Sequence, residues 1–224
     1  MNNKNLEIAC FNWESAVIAQ ESGADRVELC ANMQEGGTTP DFEIARKVRD
    51  ELSIKLNVMI RPRGGDFVYT NAEFEQMKSE IEQFKKINVD GFVFGILNAD
   101  YSFDMEKNKE LVALASPVPC TFHRAFDVVS NVYESLELVI DCGFTTVLTS
   151  GQAENVVEGI EVLQALLEKA KDRIVVMPGG GLRSSNIERL DQKVNASFYH
   201  SSAITDSSEI ANGDEIKKIK SCLS

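Results

Sequence analysis

Short apolar runs alternate with longer amphipathic stretches along the whole chain. The runs have the length of β-strands, and most are rich in Val, Ile or Phe, a composition that favours strands over helices. Eight strands are predicted: Leu6–Cys10, Arg26–Cys30, Lys55–Pro62, Gly91–Leu97, Pro119–Arg124, Thr145–Ser150, Arg173–Pro178 and Ala196–Ser201.

The stretches between these strands have helical length. In the third helix Asn71 is the predicted N-cap, with Glu73 and Glu75 in the first turn, and Gly143 is the predicted C-cap of the fifth. The eight predicted helices are Glu14–Ser22, Asp41–Leu52, Asn71–Ile87, Asp104–Ala115, Asn131–Cys142, Ala153–Lys171, Ser184–Leu190 and Asp214–Leu223.

Eight strand–helix units predict a parallel sheet covered by helices, and this number favours closure into a TIM (β/α)8 barrel over an open sheet. A chain of 224 residues is ordinary for one such barrel, and no linker or low-complexity segment interrupts it. We therefore expect one domain over residues 1–224. Active sites in this fold lie where the strands end, so chemistry is expected on the loops that follow the strands.

Composition narrows the range of functions. The formal net charge is −12, which disfavours general binding to nucleic acid or to an anionic membrane surface. The first five residues carry no apolar leader segment and no later run approaches a membrane span, so we expect a cytoplasmic protein. The five cysteines are scattered without a C-x-x-C motif, which argues against a disulfide framework and a structural zinc site.

Period-two alternation in the second strand places Glu28 and Cys30 on the same face, opposite Val27 and Leu29. Because the helix-packed face of a barrel strand is apolar, Glu28 and Cys30 are predicted to point inward. A carboxylate inside a barrel needs a partner. We predict that Arg61, at the end of the third strand, pairs with Glu28, as either a catalytic or a buried structural pair.

The segment that begins at Arg61 reads R-P-R-G-G-D and ends at Asp66. Two guanidinium groups beside glycines are typical of an anion clamp, because Arg stays charged and donates through a planar fork. Arg61 and Arg63 are therefore candidate anion-binding residues. In the alternative interpretation Arg63 and Asp66 pair with each other within the loop.

Both histidines of the chain end predicted strands. His123 is predicted to face inward beside Arg124, where it would act as a general acid or base, bind a metal, or be structural. His200 is the second candidate, although the alternation around Phe198 leaves its facing open. We include Glu28, Arg61, His123, Arg124 and His200 as candidate catalytic residues.

The seventh strand leads into Gly179, Gly180 and Gly181, and the eighth ends at Ser201. Glycines let backbone N–H groups approach a ligand closely, and the loops after strands seven and eight form a recurrent phosphate site in this fold. These four residues are therefore candidate anion-binding residues. The alternative is a tight turn that binds nothing.

Several motifs, in their order and spacing, closely resemble the CutC copper homeostasis family. They are ESGADRVELCANMQEGGTTP, VMIRPRGGDFVYTNAEFEQM, DGFVFGILNADYSFD, TFHRAFD, VLTSGQ, MPGGGLRSSN and FYHSSA. The resemblance covers residues 6 to about 203. It implies a TIM barrel, a cytoplasmic location, a homo-oligomer (a dimer or higher) and a link to Cu(I).

The copper proposal for this family rests on inward cysteines in strands one and two. Cys30 matches the second of these. The family pattern L-E-V-C-V places the first at Ala9 here, and Cys10 is one residue later, on the opposite face. The resemblance therefore implies that Cu(I) would bind Cys30, aided by Met59 or Cys10, since soft thiolate and thioether ligands suit this ion.

Three functions remain open. The first is a copper homeostasis protein that binds Cu(I). The second is an enzyme of the isomerase, lyase or aldolase type that acts on a small phosphorylated or carboxylated metabolite. A Schiff-base mechanism is disfavoured for it, because no lysine faces inward at a predicted strand end. The third is a scaffold with no remaining chemistry.

Overall fold

The computed structural model describes residues 4–223, so residues 1–3 and 224 of the predicted domain lie outside the described part. The predicted (β/α)8 barrel is confirmed. The strands are β1 Asn5–Cys10, β2 Arg26–Leu29, β3 Lys55–Met59, β4 Gly91–Phe94, β5 Cys120–Phe122, β6 Thr146–Thr149, β7 Val175–Pro178 and β8 Phe198–Ser201.

The helices follow the strands in strict alternation. They are α1 Trp13–Glu21, α2 Phe42–Glu51, α3 Asn71–Lys85, α4 Met105–Ala115, α5 Val132–Cys142, α6 Ile160–Ala170, α7 Ile187–Val194 and α8 Gly213–Cys222. Two short 3-10 turns, Met33–Glu35 and Arg124–Val128, lie after β2 and β5. Among residues 4–223, no helix combines the length and apolar character needed to cross a membrane.

From β1 to β7 each strand pairs in parallel with the next strand in sequence, and β1 also pairs with β8. A bridge between Gly179 and His200 completes the contact between β7 and β8. The main apolar core lies between the strands and the helices, where side chains such as Ile8, Val27 and Val58 are fully buried. Alternate residues of the same strands therefore point into the barrel.

Side-chain caps account for the start of most of the helices. Asn131 caps α5 by accepting from the Glu134 N–H, and Gly143 ends the helix with a φ of 98°, as predicted. The prediction of Asn71 as the α3 N-cap is wrong by one residue. Thr70 caps this helix instead, in a reciprocal capping box with Glu73.

The sixth helix begins later than predicted. The sequence favours Ala153–Lys171, whereas α6 begins at Ile160. Residues 151–159 form a loop in which the Val156 N–H donates to the Gly180 carbonyl. Gly159 lies so close to Ser150 that an added Cβ would fall 1.8 Å from its carbonyl oxygen. This loop therefore packs over the glycines that follow β7.

Candidate functional site

A cavity of about 430 Å³ opens at the carboxyl ends of the strands. Most of the residues predicted to carry chemistry line it, together with several that the sequence analysis did not select. The predicted residues at its wall are Glu28, Cys30, Met59, Arg61, His123, Arg124, Gly180, Gly181, His200 and Ser201. The structure thus brings residues from β2, β3, β5, β7 and β8 together, as the barrel prediction requires.

A network of buried charges lies below this cavity, centred on Glu7. The parallel register places Glu7 opposite Arg26 of β2 and opposite His200 of β8. Glu7 pairs with Arg26 Nε, its Oε1 lies 2.8 Å from His200 Nδ1, and Asn57 Nδ2 donates to its Oε2 at 3.3 Å. Burial disfavours the ionised carboxylate, but Arg26 and His200 together hold the pKa of Glu7 below its usual range.

The inward facing of His200 is therefore settled. The sequence analysis did not select Glu7, although the same alternation that places Glu28 inward also places Glu7 and Ala9 on one face of β1.

The predicted ion pair between Glu28 and Arg61 is wrong. In the register of β2 and β3, Glu28 stands opposite Asn57, and Arg61 lies four residues further along, roughly 13 Å at the rise of a strand. The charged neighbour of Glu28 is His200, whose Nε2 lies 3.7 Å from Glu28 Oε2. Glu28 Oε1 is buried and has no hydrogen-bond partner in the described residues. Burial raises the pKa of Glu28 to about 7, against the opposing effect of His200.

Arg61 instead joins two loops at the rim. Its Nη1 donates at 2.8 Å to the carbonyls of both Glu35 and Gly37, and its Nη2 donates at 2.9 Å to that of Gly65. Its Nε is buried without a partner in the described part of the chain. Most of the donors predicted to clamp an anion are thus committed to backbone carbonyls.

Arg63 does not join the other predicted residues at the cavity. Its Nε donates to Glu73 at 2.6 Å, and its Nη2 donates to Asp66 at 3.0 Å and to the Val68 carbonyl at 2.9 Å. The pairing of Arg63 with Asp66, considered as the alternative, is the arrangement present. The hydrogen-bonding capacity of Arg63 is used to order the loop before α3.

His123 presents a neutral imidazole to the cavity. Its Nδ1 accepts the Ala125 N–H at 3.3 Å, which leaves the proton on Nε2. That Nε2 is buried and has no partner within residues 4–223. Burial, with a smaller contribution from Arg61, lowers the pKa of His123 to about 3. His123 is therefore a hydrogen-bond donor at neutral pH.

Arg124 and the glycine loop lie together on the opposite side of the mouth. Arg124 Nε donates to Asp127 at 2.7 Å and Nη2 donates to Ser150 Oγ at 3.0 Å. Gly180 has a φ of 110°, and an added Cβ would lie 3.1 Å from Arg124 Cζ. The Gly181 N–H donates to no acceptor in the described residues. Gly179 is committed to the sheet, because its N–H donates to the Thr149 carbonyl.

Arg183 is a second cation at this side that the sequence analysis missed. It lines the cavity, and its guanidinium donates to the carbonyls of Leu182 at 2.7 Å and Ile204 at 3.1 Å. Its Nη1 also lies 3.4 Å from Ser201 Oγ. The signal was present in the motif MPGGGLRSSN, two residues after the glycines.

Two sulfur-bearing side chains converge on another part of the wall. Cys30 and Met59 form a small buried cluster with Val93. A Cβ placed on Gly37 would lie 3.5 Å from both Cys30 Sγ and Met59 Cε. Burial, reinforced by the charge of Glu28, raises the pKa of the Cys30 thiol well above its usual range.

Cys10 does not join these two residues. Its Sγ lies 3.6 Å from the Ile8 carbonyl, and the side chain packs in the core between strands and helices. Ala9 lines the cavity in its place. In residues 4–223 no group of three or more His, Cys, Asp or Glu side chains is arranged to hold a metal ion.

Comparison with known proteins identifies the family. The model of the CutC family matches residues 4–205. The chain belongs to the CutC family. The human copper homeostasis protein cutC homolog is 45% identical over 88% of this chain and 72% of its own length. A CutC family protein of Chromobacterium violaceum is 44% identical over 90% of this chain and 81% of its own length.

Solved structures agree with this assignment. A crystal structure of CutC from Streptococcus agalactiae superposes with a TM-score of 0.85 at 32% identity, covering 89% of this chain and 98% of that one. Phosphoribosyl anthranilate isomerase from Thermotoga maritima superposes with a TM-score of 0.68 at 16% identity, covering 98% of each chain. The second likeness shows the shared barrel fold alone.

Proposed function

We propose that the cavity of this CutC-family protein binds a small phosphorylated or carboxylated metabolite and exchanges a proton with it. The observation that carries the proposal is that three buried polar atoms at the cavity, Glu28 Oε1, His123 Nε2 and Arg61 Nε, have no hydrogen-bond partner within residues 4–223. All three residues line the same cavity. Because an unpaired buried polar group costs about 1–3 kcal/mol, a ligand or water that satisfied these atoms would stabilise the protein.

Two regions of the cavity wall would contact two different parts of the proposed ligand. Arg124, Arg183 and the Gly181 N–H offer positive charge and donors for a phosphate or carboxylate. Glu28 and His200 supply an acid–base pair, and His123 supplies a neutral donor for a carbonyl or hydroxyl oxygen. This combination suits isomerisation, aldol-type cleavage or elimination without a Schiff base.

Binding of 2-phosphoglycolate, a small probe that carries both anionic groups, tests this proposal by isothermal titration calorimetry. We expect saturable binding by the unaltered protein and an affinity at least about tenfold weaker for Arg124→Ala, equivalent to about 1.4 kcal/mol. Arg46→Ala is the matched control, because Arg46 is an exposed cation paired with Glu43 on α2. Absent binding, or equal loss in both variants, would contradict the proposal.

Cu(I) is the second candidate ligand, supported by the convergence of Cys30 and Met59 and by the copper homeostasis names of the relatives. The fit is partial. One thioether and one thiol with a raised pKa form a weaker donor set than two thiolates, because the metal binds the deprotonated sulfur.

A cysteine introduced at Ala9 tests the copper proposal. Ala9 lies at the cavity wall, opposite Glu28 in the sheet. We expect Cu(I) uptake, measured by competition with a chromogenic chelator, to be lost in Cys30→Ala and strengthened about tenfold or more in Ala9→Cys. Cys10→Ala should leave uptake unchanged, because Cys10 packs in the core behind β1. Uptake that survives Cys30→Ala would rule out this site.

We also propose a cytoplasmic location and a homo-oligomer for this chain, in line with its membership of the CutC family. Light scattering on the purified protein tests the assembly, and cell fractionation tests the location. A monomeric mass at micromolar concentration would overturn the first proposal, and recovery outside the cytoplasmic fraction would overturn the second.

A further inference from the structure

We propose that Glu7 is a positioning residue that holds His200 as an imidazolium, with its Nδ1–H directed toward Glu7 and its charged Nε2–H directed toward Glu28 at the cavity wall. The use of this charge on a bound ligand rests on the function proposed above. The ionisation of His200 does not, since it follows from the contacts of the barrel interior.

The contacts of Glu7 favour its ionised form. It is fully buried, yet both of its oxygens have partners: Arg26 and Asn57 contact Oε2, and His200 Nδ1 lies 2.8 Å from Oε1. Arg26 cannot lose its proton in a protein, so Glu7 has a permanent counter-charge. An ionised carboxylate can only accept hydrogen bonds, so the His200 ring must direct Nδ1–H toward Glu7.

The other nitrogen of His200 also faces a carboxylate. Its Nε2 lies 3.7 Å from Glu28 Oε2, and the His200 side chain is 10% exposed. An imidazole with a carboxylate at each nitrogen favours protonation of both nitrogens. The two carboxylates oppose the effect of burial and raise the pKa of His200 above its usual value.

Glu7 is the anion of this cluster, and Arg26 and His200 are its cations. Burial raises the pKa of Glu28 to about 7, so Glu28 is partly ionised at neutral pH. Among the described residues, the charged side chains of β1, β2 and β8 that face His200 are those of Glu7, Arg26 and Glu28, and β3 contributes the neutral Asn57. The thiol of Cys30 lies next to Glu28 and stays protonated, because burial raises its pKa.

Because the chain has only two histidines, NMR of histidine-labelled protein tests the ionisation directly. We expect one ring, His200, to show two protonated nitrogens at pH 7 and the other, His123, to show a single proton on Nε2. Assignment comes from His123→Gln. A neutral His200 in the unaltered protein at pH 7 would overturn the inference without the use of any variant at its site.

The role of Glu7 is tested by Glu7→Gln, which keeps the shape and removes the charge. We expect the titration midpoint of His200 to fall by about one to three pH units. Glu43→Gln, an exposed carboxylate on α2, should leave the midpoint unchanged. If Glu7→Gln does not fold, the protonation state of His200 in the unaltered protein still decides the inference. An unchanged midpoint in a folded Glu7→Gln variant would refute the account.

The two proposals fail separately. A charged His200 that depends on Glu7, in a protein that does not bind 2-phosphoglycolate, would refute the proposed ligand and leave the ionisation intact. Binding with a neutral His200 would refute the positioning role alone. If both hold, the affinity for 2-phosphoglycolate should follow the same midpoint as the His200 titration.

Discussion

Arg26→Met tests the buried charge network through protein stability. The substitution removes the guanidinium that contacts Glu7 and replaces it with an unbranched apolar side chain of similar length. Arg26 also lies 4.1 Å from the ring centroid of Phe198, a contact that methionine can partly retain. The main change is therefore the loss of the counter-charge from a carboxylate that has no solvent exposure.

The expected magnitude follows from that burial. Removal of one partner of a buried ion pair costs about 3–5 kcal/mol, because the remaining charge is left uncompensated. His200 and Asn57 still contact Glu7, so we expect the lower part of this range. Glu7→Gln combined with Arg26→Met removes both charges, and it should cost about 1–3 kcal/mol less than the sum of the single variants.

Urea unfolding at several pH values measures these differences. The wild-type pKa of Glu7 is lowered, so Glu7 contributes stability above pH 4.5, its usual pKa, that is lost as pH falls through the folded value. In Arg26→Met we expect the folded pKa of Glu7 to rise above 4.5. The ionised carboxylate then destabilises the folded state, whereas in the wild type it stabilises it. The deficit of Arg26→Met should therefore shrink as the pH falls from 7 toward 5. A cost below about 1 kcal/mol, or a deficit independent of pH, would refute the reasoning.

Three further substitutions test local features. Thr70→Ala removes the capping box of α3 and should lower the free energy of unfolding by about 1 kcal/mol, and no loss in urea would show that the cap is redundant. Gly95→Ala places a Cβ 2.8 Å from His123 Nδ1, so the free energy of unfolding should fall by about 1–3 kcal/mol. The His123 ring signal in NMR should also shift, and an unchanged signal would contradict this contact. Gly180→Ala adds a side chain at a φ of 110° beside Arg124, and it should cost about 1–3 kcal/mol in thermal unfolding and weaken 2-phosphoglycolate binding; unaltered binding would argue against an anion at this loop.

Period-two alternation was the most informative pattern in the sequence. It placed Glu28 and Cys30 inward, and it placed Cys10 on the opposite face from Ala9, as the structure has them. The rule works here because the helix-packed face of each strand must be apolar, so a polar residue at an alternate position has to face the barrel interior. Applied equally to β1, it would also have identified Glu7.

The sequence did not determine the register between neighbouring strands. Glu28 and Arg61 share a face of adjacent strands, but the sheet sets Glu28 opposite Asn57 and leaves Arg61 beyond the end of β3. Sequence patterns fix which side a residue faces and not its height in the barrel. The partners of a charge depend on both, so the pair of Glu28 with His200 required the structure.

The contacts of Arg61 with the neighbouring loops could not be predicted from the sequence. Arg61 and Arg63 precede two glycines, a pattern that favours an anion clamp and also allows a loop that bonds to itself. Folding decides between the two, because it brings backbone carbonyls such as those of Glu35 and Gly37 next to Arg61. Every residue has such a carbonyl, so the side-chain sequence does not show which of them will lie there. Arg124 remains available to a ligand because Asp127 fixes one edge of its guanidinium and leaves it at the cavity wall.

The charged interior of this barrel is not explained by stability alone. Replacement of a buried ion network by apolar side chains of similar volume is often neutral or stabilising, so a barrel that needed only to fold could fill this layer with Val, Ile and Leu. Here the layer holds Glu7, Arg26, Glu28 and His200, and one oxygen of Glu28 has no hydrogen-bond partner in the part of the chain that the structure describes, next to an open cavity. A structural network would be expected to satisfy that oxygen. Its position next to the cavity therefore favours a site that acts on a bound ligand over a vestigial scaffold.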